Sequence, residues 1–258
     1  MKHSDKLKIA FGIALTGSVI TAAPLNAQVL VDNFDDGTWS VITEDENGTT
    51  PGGGGQAFDA EYLVYKIDGN ILSIGLQSGF DLITGEQDLN SKDYWAGDLA
   101  LSFDGIVTGD ATAMANSYEY GIDFGLYTAD YGGIAVGGEP GTPGVDDAGV
   151  YSDPVWDNDI YYSSAASPFA MDSGTFETGL ITNESGSEDD SFYRAVSFDL
   201  TQLGLTDLSN LTMDMHWTMS CGNDFINGSG NISVPEPTLI WLLGSGLALM
   251  GFARRKKA

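Results

Sequence analysis

The sequence predicts an all-β fold, an antiparallel β-sandwich with a jelly-roll-like path, and three observations carry that prediction. Apolar side chains alternate with period two in four separate segments, which is the strand period. An Asp-Gly turn stands between two further apolar runs. No long stretch between the two ends of the chain has helical periodicity.

Taken in order, the chain starts with a positive region, Lys2, Lys6 and Lys8, followed by an apolar stretch at 9–23 and a small-residue site at Leu25-Asn26-Ala27. That order describes a signal peptide over 1–27, with Thr21-Ala22-Ala23 as the alternative cleavage site. The exported domain then covers 28–227. Its first hairpin joins 62–67 to 71–77 through Asp68-Gly69-Asn70, where a tight turn calls for positive backbone angles. Leu99, Leu101 and Phe103 alternate with Ala100 and Ser102 in the next strand. Tyr118, Tyr120, Ile122, Phe124 and Leu126 do so with Glu119, Gly121, Asp123 and Gly125. Arg194, Val196, Phe198 and Leu200 alternate with Ala195, Ser197 and Asp199. Leu211, Met213, Met215, Trp217 and Met219 alternate with Thr212, Asp214, His216, Thr218 and Ser220. Each segment reads as a strand with one buried face, and two such sheets would bury those faces against each other. Three glycine- and acid-rich stretches, 43–56, 129–151 and 182–191, read as long surface loops. The run of Gly, Ser and Asn after 227 reads as a polar spacer over 228–234.

Charge narrows the partners. Only Lys66, Lys92 and Arg194 of the ten basic residues lie between the leader and the tail, against 35 of the 37 acidic ones, a formal charge of −32 for that portion. Such a surface repels phosphate backbones, so nucleic-acid binding is excluded as a function class. Cys221, the single cysteine, rules out an intrachain disulfide and a thiolate zinc site, and its place after a patterned strand predicts burial.

Oxygen-rich segments raise calcium as a cofactor, since calcium takes carboxylate, amide and carbonyl oxygens. The candidates are Asp32, Asn33, Asp35 and Asp36; Asp45 with Asn47; Asp146 with Asp147; and Asp157, Asn158 and Asp159. None fits the D-x-[DN]-x-[DN]-G loop, because Phe34 and Thr43 occupy ligand positions. The composition supports one structural calcium near Asp32, Asp35 and Asp36, and no other cofactor. Trp39, Trp95, Trp156, Tyr151, Tyr161 and Tyr162 lie in or near loops, where aromatic rings can stack on sugars or simply pack.

Two constellations could suggest catalysis, and spacing argues against both. His216 shares a strand face with Asp214, Thr218 and Ser220, and alternate residues about 7 Å apart cannot form a triad among themselves. It reads as a solvated or hydrogen-bonded surface histidine. Glu119 and Asp123 flank glycines that would leave a trough for a sugar or a cation. They stand about 13 Å apart, beyond either carboxylate separation of glycoside hydrolysis. The expected class is therefore a non-enzymatic protein.

The tail is the most specific segment. Pro235 and Pro237 lack backbone donors and hold Val234 and Glu236 out of the helical region, so Pro-Glu-Pro lies extended. Behind it, residues 238–253 are apolar and uncharged, a 16-residue helix about 24 Å long that barely spans a bilayer. Arg254, Arg255, Lys256 and Lys257 then hold the end on the cytoplasmic side. This order of parts over 235–258 resembles the PEP-CTERM sorting signal of Gram-negative bacteria. The segments Asp98-Leu99-Ala100-Leu101, Tyr118-Glu119-Tyr120-Gly121 and Cys221-Gly222-Asn223-Asp224 resemble stretches of other PEP-CTERM surface proteins.

The resemblance implies exosortase as the processing partner, acting at or near Pro235, Glu236 and Pro237 after export by the general secretory machinery and signal peptidase. It implies an inner-membrane-anchored precursor and a final place at the cell surface or outside the cell. The expected role is structural or adhesive in the envelope or the exopolysaccharide of a biofilm. A carbohydrate-binding module, calcium-assisted or not, is the alternative, and a glycan-active hydrolase the third.

Overall fold

The computed structural model describes residues 29–45, 48–105, 107, 115–137, 147–158, 160–208 and 211–232. Thirteen strands follow in chain order. The first five are β1 (Ser40–Glu44), β2 (Ala60–Asp68), β3 (Ile71–Ser78), β4 (Glu86–Leu89) and β5 (Lys92–Trp95). Next come β6 (Leu99–Ser102), β7 (Tyr120–Asp123), β8 (Gly149–Asp157) and β9 (Ala170–Gly179). The last are β10 (Thr182–Glu188), β11 (Ser191–Asp199), β12 (Leu211–Thr218) and β13 (Phe225–Ile232).

The fold is all-β and antiparallel, as the sequence predicts. One sheet runs β1-β2-β3-β11-β10, the other β13-β12-β6-β7-β8-β9, and β4-β5 form a separate hairpin. Strands near the start of the chain thus pair with strands near its end, β3 with β11 and β6 with β12, which ties the sandwich shut across its length. The Asp-Gly hairpin forms as expected, with Asp68 opposite Ile71 and Gly69 at φ 59° in the turn.

The period-two faces meet in the core. Leu72, Ile74, Leu76, Val196 and Phe198 of one sheet pack against Leu99, Leu101, Ile122, Met213, Met215 and Trp217 of the other. Each such side chain contributes about 1.5–3 kcal/mol on full burial, so this layer supplies the main folding drive. Arg194 of β11 is a buried cation beside this layer. It donates to the carbonyls of Leu82 (2.9 Å) and Phe124 (3.1 Å) and to Asn183 Oδ1 (2.8 Å), and its guanidinium sits 5.6 Å from the Phe124 ring centre.

Four expectations change. The segment 182–191 is no loop: β10 pairs along its whole length with β11, and only Asp189-Asp190 form the turn. It hides from pattern reading because an edge strand solvated on both faces has no apolar alternation, and its Glu184 and Glu188 protect that edge. The polar run after 227 continues β13 to Ile232 and is not a free spacer. Small residues suit it there because β1 passes close by; a Cβ on Gly228 would come within 2.4 Å of Ile42 Cγ2. The stretch 43–56 is in part ordered by packing, with β1 reaching Glu44 and Gly52 lying against Asn223.

Finally, the presumed solvent faces of β6 and β12 are buried, since Ala100, Ser102, His216 and Thr218 are all enclosed. Tyr118, Tyr151, Trp156 and Met171 form a second apolar layer over Ala100. On the other sheet, Val31, Phe34 and Trp39 of the N-terminal segment cover Tyr62, Val64 and Ala195.

Candidate functional site

The corner that connects β12 to β13 is Cys221-Gly222-Asn223-Asp224, and its chemistry is that of a clamp. Gly222 turns the chain at φ +60°, where a Cβ would also overlap Ile160 Cγ2 at 2.0 Å, so only glycine fits. Asn223 accepts the Gly52 N–H at 2.6 Å and donates through Nδ2 to the Gly53 carbonyl. Asp224 is enclosed and accepts backbone N–H groups from Ala60 (2.8 Å), Phe225 (2.9 Å) and Thr50 (3.4 Å). Its carbonyl accepts the Thr218 hydroxyl at 2.6 Å. Two distant segments, 50–53 and 60, are thereby fixed to the end of β12. Burial, which outweighs the three amide donors, pushes the Asp224 carboxyl up to about 8, with Asp45 adding to the rise. Cys221 is buried as predicted, and burial pushes its thiol up to about 11, a protonated and inert state.

His216 is not at the surface, contrary to the expectation. It is 0 % exposed, its Nε2 is 3.0 Å from the Ala166 carbonyl, and its Nδ1 bonds Asn227 Oδ1. The cause is the extra layer over its sheet, and burial lowers its pKa, favouring the neutral ring. Through these two contacts the ring ties β12 to Asn227 of β13 and to Ala166.

The trough expected beside Glu119 and Asp123 is filled. A Cβ on Gly121 would lie 2.1 Å from Met171 Sδ, so the glycine makes room for a core methionine of β9 and leaves no space for a sugar. Glu119 instead accepts from the Ser102 hydroxyl (3.2 Å) and the Phe103 N–H (3.1 Å).

The predicted aspartates sit in the N-terminal cover. Asp36 Oδ1 accepts the Thr38 N–H (2.7 Å) and hydroxyl (2.6 Å), which closes a turn, and those bonds hold its carboxyl below the usual range. The Asp32 N–H donates to Glu188 at 2.8 Å, while Asp35 is exposed and its N–H closes a turn onto the Val31 carbonyl (3.1 Å). Among the described residues no group of three or more His, Cys, Asp or Glu gathers where a metal could sit. Asn47, Asp146 and Asp159 lie outside the described residues.

The three tryptophans separate. Trp39 stacks edge-on with Phe34 (4.9 Å) and carries Lys66 Nζ 4.2 Å above its ring, so it serves the cover. Trp156 is 7 % exposed in β8 and cannot present a face to a sugar; it belongs to the second apolar layer. Trp95 is half-buried at the end of β5, edge-on to Tyr127 at 6.4 Å. Tyr151 is buried, whereas Tyr161 and Tyr162 are exposed. What sequence reasoning did not single out is Tyr131, on the Asp130-Tyr131-Gly132-Gly133 turn, although that composition is itself a turn signal.

A cleft of about 480 Å³ lies where β1 meets β13, lined by Glu44, Asp45, Thr50 and Asn227 among others. A second, of about 340 Å³, adjoins it across Thr43 and Asn227 and contains Tyr118 and Asp214. Three of their polar side chains already have partners within the fold. Glu44 accepts from the Tyr62 hydroxyl (2.6 Å), Asp214 from the Val107 N–H, and Asn227 meets His216.

The sorting segment, Pro235, Glu236 and Pro237 with Arg254 to Lys257, lies outside the described residues, as does the leader. Among the described residues no helix is long and apolar enough to cross a membrane. Neither a curated protein nor a solved structure matches the chain. The PEP-CTERM protein-sorting motif does match, over residues 233–257. The chain therefore carries, directly behind its last described strand, the motif that implies an exosortase-sorted extracellular protein.

Proposed function

We propose that this chain is a surface protein of the envelope or exopolysaccharide layer, with a structural or adhesive role and no catalysis of its own. In this reading the general secretory machinery exports it, signal peptidase removes the leader, the apolar tail holds it in the inner membrane, and exosortase releases it. The observation that carries the reading is the sorting motif at 233–257 immediately after β13, which ends at Ile232. A cut at Pro-Glu-Pro would free the whole sandwich without removing a residue from any described strand. The acid content fits the same role, because mutual repulsion keeps copies apart and soluble.

Replacing Glu236 with Ala in the native host tests it. The full-length form should collect in the membrane fraction, and the surface form should drop at least about tenfold. Normal amounts of mature protein at the surface would refute the proposal.

A further inference from the structure

Tyr131 and Tyr161 stack with ring centres 4.0 Å apart and planes 13° apart. Tyr161 is 65 % exposed, although the chain on both sides of it is anchored. Ile160 packs with Val136 and Phe169, and the Tyr162 N–H donates to the Cys221 carbonyl at 3.0 Å. Tyr131 is held as firmly. Lys92 Nζ donates to its carbonyl (2.6 Å) and lies 3.8 Å from its ring centre on a cation–π contact. Its turn is locked by Asp130, which accepts the Ile134 N–H at 2.8 Å, and by the bridge between Ala129 and Ala135. On the same turn a Cβ on Gly133 would come within 3.9 Å of Trp95 Cη2, which places the half-buried indole edge against the turn that carries Tyr131.

An aromatic ring held rigidly with one face in water is an unused contact surface whose ordering cost is already met. We propose that this face binds the apolar side of a neutral pyranose in a glycan. The choice of ligand follows from charge. The exported portion has a formal charge of −32, and the ammonium nearest the rings, Lys92, is already bonded to Tyr131. An anionic sugar would meet repulsion from this acidic surface. A neutral ring offers a C–H face for the tyrosine and hydroxyls for its rim. The inference rests on the proposed extracellular role, which brings the domain to glycans.

The test is affinity electrophoresis of the detergent-solubilised full-length chain in gels containing hydroxyethylcellulose, galactomannan, laminarin or alginate. Retardation is expected in at least one neutral gel. Tyr161→Ala should weaken it about tenfold, Tyr161→Phe should retain it, and Phe176→Ala, an exposed ring on β9, should leave it unchanged. Absence of retardation in every neutral gel overturns the proposal, as does retardation by alginate alone or binding that Tyr161→Ala does not alter. Because the gel requires no processing, failure here leaves the Glu236→Ala outcome to judge the sorting proposal separately.

Discussion

The Cys221-Gly222-Asn223-Asp224 corner and the Tyr131–Tyr161 pair are neighbours, joined by the bond from the Tyr162 N–H to the Cys221 carbonyl, yet they treat water in opposite ways. In the corner, the Asp224 and Asn223 side chains end on other parts of the same chain. In the tyrosine pair the supports are internal but one ring face is left to solvent. Groups that are fully satisfied within the fold have nothing left to offer a ligand, so their loss should cost stability. Groups that are rigid and unsatisfied can be lost without harm to the fold, and their loss should cost binding.

The largest effect should come from the corner. Asp224→Ala leaves the buried N–H of Ala60 and the half-buried N–H of Phe225 without acceptors, a loss of about 3 kcal/mol. For a domain of this size that is a fall of roughly 6–12 °C in melting temperature, read by circular dichroism. A change under about 2 °C would mean that the corner is not the clamp described.

A second effect concerns pH. The Asp224 carboxyl has its folded pKa raised from 3.8 to about 8, so the native state keeps a proton that the unfolded chain releases. Its contribution is fully present below about pH 4 and is lost as pH rises towards 8. Glu61 and Asp214, also raised by burial, act in the same direction. His216, whose pKa burial lowers from 6.5, acts in the opposite sense, so Asp224 is read by difference: from pH 8 to pH 5 the wild type should gain melting temperature relative to Asp224→Asn. No gain relative to that variant would show that the amide donors keep Asp224 ionised.

The smallest effect is expected at the tyrosines. Tyr161→Ala should shift stability by no more than about 0.5 kcal/mol, since the removed ring is mostly in water. A large loss of stability there would make the pair a structural prop and erase the contrast with the corner.

How much of this the sequence reveals depends on which force writes the signal. The sandwich core was legible because a strand buried on one face must alternate, and Leu72, Ile74, Leu76, Met213 and Met215 do so. β10 and the second half of β13 were not, because an edge strand in water and a strand made of small polar residues carry no apolar period. The burial of His216 and Trp156 was hidden for another reason. It depends on a second layer from β8, β9 and neighbouring loops, and no local pattern announces a cover supplied by distant chain. Tyr161 was visible as a loop aromatic, whereas its stacking on Tyr131 and the role of Lys92 are tertiary facts. The sorting tail was the reverse case, since its information lies in residue order and not in packing.

The central claim, that the sandwich is released whole by processing at its tail, is tested most directly by mass spectrometry of the carboxyl end of protein recovered from the cell surface. The account predicts a terminus at or near Pro235, Glu236 and Pro237, with β13 intact through Ile232 and no peptide from 238–258. Recovery of the surface form with its Ala258 end intact would contradict it.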